Sequence, residues 1–358
     1  MNIAVLVSGG VDSSVALALL KEQGHAVTAF YLKIWLEDEL SYLGSCPWQE
    51  DLSYVQATCV QLNVPLEVIS MQREYHEQVV SYTLASIRAG RTPNPDIMCN
   101  SRIKFGLFIK ALDERGCHFD KIASGHYAQV QEKNGLYYLM QSPDPVKDQT
   151  YFLSHLTQAQ LSRVLFPIGH LEKSQVRALA QILNLPTKER KDSQGICFLG
   201  KFKFNDFVRH HLGNMPGPLI EHETGMVLGR HQGFWFHTIG QRHGSGLSGG
   251  PWYVVAKDPV ANSVFVSRNY YSVDKKRDRC YVQECSWITG VPEKNNLTVK
   301  VRHGLSFHAC NLLLDSHDSG VVQLATHDQG LAAGQFAVFY DGPICLGAGV
   351  IDGFIRKR

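Results

Sequence analysis

The opening of the chain limits its fold more than any other stretch. Asn2–Val7 (NIAVLV) is a near-continuous apolar run that leads directly into Ser8-Gly9-Gly10-Val11-Asp12-Ser13-Ser14. Ser13–Gln23 then carries a helical period and stops at Gly24. A strand buried on both faces, a glycine turn and a helix make the first unit of a parallel sheet. The alternation continues. Ala26–Ile34, Leu66–Ser70 and Asp120–Ser124 read as strands, and Glu50–Asn63, Arg73–Ala89 and Arg102–Arg115 read as helices. Helical period returns in Gln158–Phe166, Ser174–Leu185 and Phe204–Leu212. The expected class is α/β, a parallel sheet with helices on both faces.

The texture changes after Met215-Pro216-Gly217-Pro218, beyond which glycine-punctuated β segments replace helical period. A charged stretch at Asp274–Arg279 marks a second break. With 358 residues and ~100–200 residues per domain, two or three domains are expected. We divide the chain into 1–213, a catalytic α/β domain, 214–274, a small β-rich domain, and 275–358, a terminal antiparallel β-barrel. The terminal unit is expected to be separable from the glycine loop. Hydrophobic residues at 44% and charged residues at 19% exclude a disordered chain. No apolar run approaches the ~18–20 residues of a membrane span, and the first residues lack the basic start of a signal peptide. Nine irregularly spaced cysteines fit the reducing cytoplasm better than a disulfide framework. Thirty-five basic against 33 acidic residues argue neither for nor against nucleic acid.

Two glycines let backbone approach an anion, the helix behind them offers N–H groups, and serines 8, 13 and 14 add hydroxyls. The plain alternative is a tight turn with an Asp or Ser cap. The position at the carboxyl end of the first strand, where parallel sheets place ligands, favours a phosphate cradle. The loop lacks the GxxxxGK[ST] spacing and its lysine, and it lacks GxGxxG. SGGVDSS resembles instead the pyrophosphate loop of the ATP pyrophosphatases, which split ATP between its α- and β-phosphates.

Two cysteines stand apart from the rest. Thr92-Pro93-Asn94-Pro95-Asp96-Ile97-Met98-Cys99-Asn100 reads as a loop kept out of both neighbouring helices by its prolines, with Cys99 near a helix N-terminus. Cys197 lies between Gly195 and Gly200, with Arg190, Lys191 and Lys201 nearby. Local positive charge favours the thiolate. Cys59, Cys117, Cys280, Cys285, Cys310 and Cys345 read as small buried hydrophobes, and Cys46 stays open. With no CxxC pair, neither zinc nor an iron–sulfur cluster is expected, and no protein-held metal site is assigned.

Together, SGGVDSS, TPNPDIMCN, SGHYA (124–128), KDQTYFL (147–153), GICFLG and HTIGQR (237–242) resemble, in order and over essentially the whole chain, the bacterial tRNA 2-thiouridylases. That resemblance implies a sulfurtransferase in which ATP, with Mg2+, adenylates the 2-oxygen of the wobble uridine before sulfur displaces AMP. It implies that Cys197 carries a persulfide, that Cys99 is its partner in a disulfide closing the cycle, and that Asp96 is a general acid/base. Leu6, Val7, Ser8, Gly9, Gly10, Val11, Asp12 and Ser13 would hold ATP, with Leu32 and Gly125 near the adenine. Asn94, Pro95 and Asp96 would line the pocket for the flipped base. His126, Lys147, Asp148 and Gln149 would touch tRNA, and Arg302, His303 and Gln335 would contact the anticodon loop. His303 departs from the tyrosine of the family pattern, although histidine can also stack on a base. The implied partners are the tRNAs for lysine, glutamate and glutamine and a sulfur-donor protein. Two other readings are a small-molecule ligase of the same superfamily and a non-enzymatic RNA-binding protein. Neither uses Asp96 and both loop cysteines.

Overall fold

The computed structural model describes residues 1–34, 47–192, 203–244 and 246–354. Its first sheet is parallel throughout. It contains β1 (Asn2–Leu6), β2 (Ala26–Lys33), β3 (Leu66–Ser70), β4 (Lys121–Ser124) and the two-residue β7 (Val164–Leu165) in the order β3-β2-β1-β4-β7. β1 is central, with Leu6 beside Phe30 on one side and Ser124 on the other. The chain builds β2 and β3 on one side and β4 on the other, so the loops leaving β1 and β4 lie together at a topological switch point. Helix α1 (Val11–Glu22) follows the glycine loop, and α2 (Pro47–Leu62) covers the same layer. Helix Lys173–Ile182, called α3 below, packs on α1 through Val176 and Ala180.

The β-rich remainder forms two further sheets. β8 (Gly217–Glu221), β9 (Val227–His231), β10 (Tyr253–Asp258) and β11 (Ser263–Ser267) make a four-stranded sheet in the order β10-β11-β8-β9. The terminal unit comprises β12 (Arg279–Trp287), β13 (Asn296–Lys300), β14 (His308–Leu314), β15 (Gly320–Leu324), β16 (Phe336–Asp341) and β17 (Ile344–Phe354). These pair antiparallel in the order β12-β15-β14-β13-β16-β17, and β17 returns to β12, closing a six-stranded barrel among the described residues. A closed barrel leaves no sheet edge of its own.

Three features differ from the sequence expectation. The helix expected to run to Phe166 ends at Leu161, and Val164–Leu165 instead adds an edge strand to the parallel sheet. A hairpin absent from that expectation, β5 (Ala128–Lys133) with β6 (Leu136–Gln141), leaves the α/β layer and pairs with β17 through Leu139 and Met140. The terminal unit therefore shares its core with the α/β layer. One hydrophobic cluster contains Phe30, Ile97, Cys99, Ile103 and Tyr151 together with Phe336, Val338, Tyr340, Ala348 and Val350 of the barrel. No described helix is long and apolar enough to cross a membrane.

Candidate functional site

The glycine loop has a geometry only glycine supplies. Gly9 sits at φ +75°, and a Cβ there would lie 2.5 Å from the Asp51 carbonyl oxygen and 2.8 Å from the Arg190 guanidinium. Arg190 also donates to the Gly9 carbonyl at 2.6 Å and pairs with Asp51. Gly10 is the N-cap of α1 and no side chain caps it. The Ser13 and Ser14 hydroxyls donate back to the Gly10 carbonyl at 3.1 and 3.0 Å, and the Ser8 N–H donates to Ser13 Oγ at 3.1 Å. Gly125, the first residue after β4, lies so close to α1 that a Cβ would meet Ser13 N at 2.6 Å. Leu6, Val7 and Val11 are buried beneath the loop, and Leu32 faces Ile69 in the sheet and packs on the main core.

Asp12 does not cap the helix. Its carboxylate accepts from the Tyr127 hydroxyl at 2.8 Å and from Lys173 Nζ at 2.7 and 2.9 Å. Lys173 also reaches Asp192 at 2.9 Å, and Asp192 is further paired with Lys147 at 2.7 Å and with Arg177. Burial alone would raise the Asp192 carboxyl, but hydrogen bonds from Lys147 and Lys173 hold it well below the usual carboxylate range. Burial and the Asp12 charge push the Tyr127 phenol up. Gln149 ties this side together by accepting the Tyr127 N–H at 2.9 Å through its side chain.

The Asn94–Cys99 segment is helical. Asn94 caps a short helix, Pro95–Met98, by accepting the Ile97 N–H at 3.4 Å, with Pro95 in the first turn. Proline at that position loses no helical hydrogen bond, so it starts the helix that we expected it to exclude. The helix continues as a π-helix, Cys99–Leu107, and then as Phe108–Glu114, so it begins well before Arg102. Cys99 consequently lies inside a helix and is fully buried in the main core, contrary to the charged loop expected. Cys197 and Cys46 lie outside the described residues.

The barrel closes over this helix start. Thr92 donates its N–H to the Ala333 carbonyl at 2.7 Å, Gln335 donates to the Thr92 carbonyl at 3.1 Å, and Arg91 pairs with Asp352. The His303 ring stacks on Phe152 at 4.5 Å and lies edge-on to Tyr151. Burial pushes His303 down, opposed first by the Asp148 backbone and carboxylate and to a smaller extent by the Asp96 charge. The Tyr151 hydroxyl donates to the Phe336 carbonyl at 3.1 Å, and burial pushes its phenol up, with Phe336, Arg302 and Asn94 opposing. Arg302 is itself held by Asp328, which also accepts the Gly330 N–H at 2.7 Å. The structure thus docks the helix start that carries Asn94, Pro95, Asp96 and Cys99 on the barrel that carries Arg302, His303 and Gln335.

Two expected tRNA contacts have other surroundings. His126 is 9% exposed, pairs with Ser124 Oγ at 2.7 Å and lies between the Phe105 and Phe166 rings, where burial keeps it neutral. Asp148 is buried and bound to Lys300 Nζ at 3.3 Å and to the Thr150 hydroxyl. Sequence reasoning missed Lys173, Arg177, Asp192, Phe152 and Asp328. Each lies far along the chain from its partner, and no spacing signals such a pair.

Three family models match successive stretches of the chain. The model described as the tRNA methyl transferase HUP domain matches residues 1–201. The tRNA methyl transferase PRC-barrel domain matches 205–268, and the aminomethyltransferase beta-barrel domain matches 277–351. The chain is 46% identical to the tRNA-specific 2-thiouridylase MnmA of Parabacteroides distasonis, over 98% of this chain and 99% of that one. It is 47% identical to the protein of the same name from Porphyromonas gingivalis, again over 98% and 99%. Among solved structures, a U34-tRNA thiolase from Methanococcus maripaludis aligns with 55% of this chain and 62% of its own at 14% identity and a TM-score of 0.36, too distant to carry an argument.

Proposed function

Because the chain belongs to the tRNA-specific 2-thiouridylase family, we propose that it uses ATP to replace the 2-oxygen of the wobble uridine in tRNA anticodons with sulfur. The observation that carries this reading is the docking of the helix start that bears Asn94, Asp96 and buried Cys99 against the barrel, through Thr92 with Ala333 and Gln335 and through one shared core. A carboxylate and a thiol on a helix beside a barrel suit chemistry on an unstacked base. Methyl transfer, the activity in two of the matched descriptions, gives Cys99 and the glycine loop no task.

The loop fits a polyphosphate. Gly9 keeps its backbone open to close approach, and the N-terminus of α1 has no side-chain cap to compete with an anion. Asp12 is the carboxylate of the loop that would help hold the Mg2+ accompanying the nucleotide, which would supply charge neutralisation. Leu6–Ser13, with Gly125 and Leu32 at the adjoining strand ends, forms the proposed nucleotide site. In the first step the uridine O2 forms a bond to the α-phosphorus while the bond to the bridging oxygen of pyrophosphate breaks. Asp96 takes the N3 proton and later returns it. Sulfur then displaces AMP from C2, either as the outer sulfur of a Cys197 persulfide or as hydrosulfide released when Cys99 attacks. Both routes end with Cys99 bonded to Cys197, and a dithiol reductant restores the pair.

The remaining tRNA contacts are assigned to Lys147, Gln149, Arg302, His303 and Gln335, while buried His126 and Asp148 are assigned to holding that surface in place. The tRNAs for lysine, glutamate and glutamine, a donor protein for the sulfur, a cytoplasmic location and domain limits at 213/214 and 274/275 complete the proposal. Pyrophosphate release tests it directly. Release that requires tRNA, with 2-thiouridine found by mass analysis of the nucleosides, is the expected result. Release with a small acceptor and no tRNA would indicate a ligase, and no release would indicate a binding protein.

A further inference from the structure

We propose that Tyr271, set against Tyr253 and Tyr270 at the end of the middle sheet, is a stacking platform for an unpaired base of the tRNA anticodon loop. The inference rests on the tRNA reading above and extends the RNA surface from the barrel onto the middle unit. The Tyr253 and Tyr270 rings stack 4.6 Å apart at an interplanar angle of 16°. Tyr271 lies edge-on to both, at 6.2 and 5.1 Å. Tyr270 is nearly buried, whereas Tyr271 is 70% exposed. Two rings thus fix a third that keeps most of its surface in water. A ring held in place and left open in this way suits a nucleobase, because every base has a π-face.

The surroundings of the cluster join it to Arg302. The turn Thr238–Gln241 belongs to the HTIGQR motif, to which the proposed reaction gives no task. It is tied to β10 by the Gly240 N–H on the Val254 carbonyl at 2.9 Å and by the Val254 N–H on the Gln241 carbonyl at 3.0 Å. A Cβ on Gly240 would lie 2.8 Å from the Tyr270 hydroxyl and 3.7 Å from Gly330 of the barrel, and Gly330 packs against the Arg302 guanidinium. Arg277 locks the two units in this arrangement by donating to the Val255 and Leu331 carbonyls, both at 2.6 Å. Burial pushes the Tyr270 phenol up, and the Arg277 and Arg302 charges oppose it. Arg242, the residue after the turn, is exposed, as is Lys276, while Asp274 is held by Lys275 at 3.0 Å. Cations around an open aromatic ring match a single-stranded polyanion, and the half-exposed Arg302 makes the platform continuous with the proposed anticodon-loop contact.

Binding of a glutamate tRNA transcript and of its isolated anticodon stem-loop to the full-length protein, without ATP, tests the assignment. Tyr271→Ala is expected to weaken both about tenfold, and Tyr271→Phe and Tyr271→Trp to stay within about twofold of wild type. The slope of log affinity against log salt is expected to be unchanged in Tyr271→Ala, since no phosphate contact is lost. Stem-loops with one abasic loop position each then identify the base. At one position the abasic loss seen with wild-type protein should vanish in Tyr271→Ala, because the two changes remove the same contact. Thermal unfolding reports whether the exposed substitution leaves the fold intact. Unchanged affinity in Tyr271→Ala would overturn the proposal, as would a loss equalled by Tyr271→Phe, a loss confined to whole tRNA, or additive losses at every abasic position. Wild-type protein that shows the Tyr271 dependence but forms no 2-thiouridine would overturn the thiolation reading and leave the platform supported. Wild-type protein that binds neither RNA would overturn both.

Discussion

Gly9 shows how much one residue decides. A side chain there meets the Asp51 backbone, and the φ of +75° is itself unfavourable for a β-branched residue. Gly9→Val should therefore abolish pyrophosphate release and also lower stability by ~1–3 kcal/mol, the scale of local backbone strain. Denaturant titration alongside the turnover assay checks both. Asp12→Ala should behave differently. Its carboxylate is no helix cap, so the variant loses an ion pair with Lys173, and ATP binding should fall more than stability does. Cys99 carries the sharpest residue-level test. After one turnover without reductant, peptide mapping should find Cys99 joined to Cys197. Cys99→Ser should remain folded, because it is close to isosteric, yet give no repeated turnover. Free thiols at both positions beside thiolated tRNA, or full activity of Cys99→Ser, would remove the two-cysteine mechanism.

Among elements, the barrel loop that ends β13 matters most. Lys300, at the end of that strand, forms a fully buried pair with Asp148, and its ammonium also lies 4.4 Å from the centre of the Phe307 ring. Lys300→Met would leave the Asp148 charge buried and unpaired, at a cost of about 3–5 kcal/mol. A large fall in the unfolding midpoint is the expected result. Two residues on, Arg302 is half exposed and held by the nearly buried Asp328. Asp328→Ala should release the guanidinium and weaken tRNA binding by ~1 kcal/mol, roughly fivefold, with ATP binding unchanged. Binding isotherms for the two ligands separate these effects. The TPNPD segment was legible as a turn with chemistry in it, but its helical state was not. Asn94 and Pro95 serve equally well in a loop or at a helix start, and the pocket of Tyr151, Phe336 and the barrel decided between them.

Across the whole molecule, the α/β layer and the barrel share one core. Deleting the chain from about Asp274 would expose Ile97, Tyr151 and their neighbours, so the truncated protein is expected to aggregate or unfold when expressed and purified. The middle sheet adds a pH response. Burial, helped by the nearby His231 and Lys257, pushes His237 down to about 4. The unfolded chain therefore takes up this proton first, and stability that is complete above pH ~6.5 is lost as pH falls toward 4, by about 3 kcal/mol at most. Urea midpoints at pH 7.5 and 5 should differ, and His237→Leu should make the difference smaller, the rest coming from other buried histidines such as His126 and His155. The sequence by itself determined what depends on neighbours along the chain: the strand–turn–helix opening, the glycines and the change to β texture after residue 215. Periodicity and turn chemistry act over a few residues, so they survive in one dimension. Only the tertiary structure decided that Lys173 reaches Asp12, that Cys99 is buried within a helix, that β5 and β6 extend the barrel sheet, and that His303 stands over Phe152 near Asp96. Those pairings are set by which apolar faces bury together, and a linear pattern specifies the faces without specifying their partners.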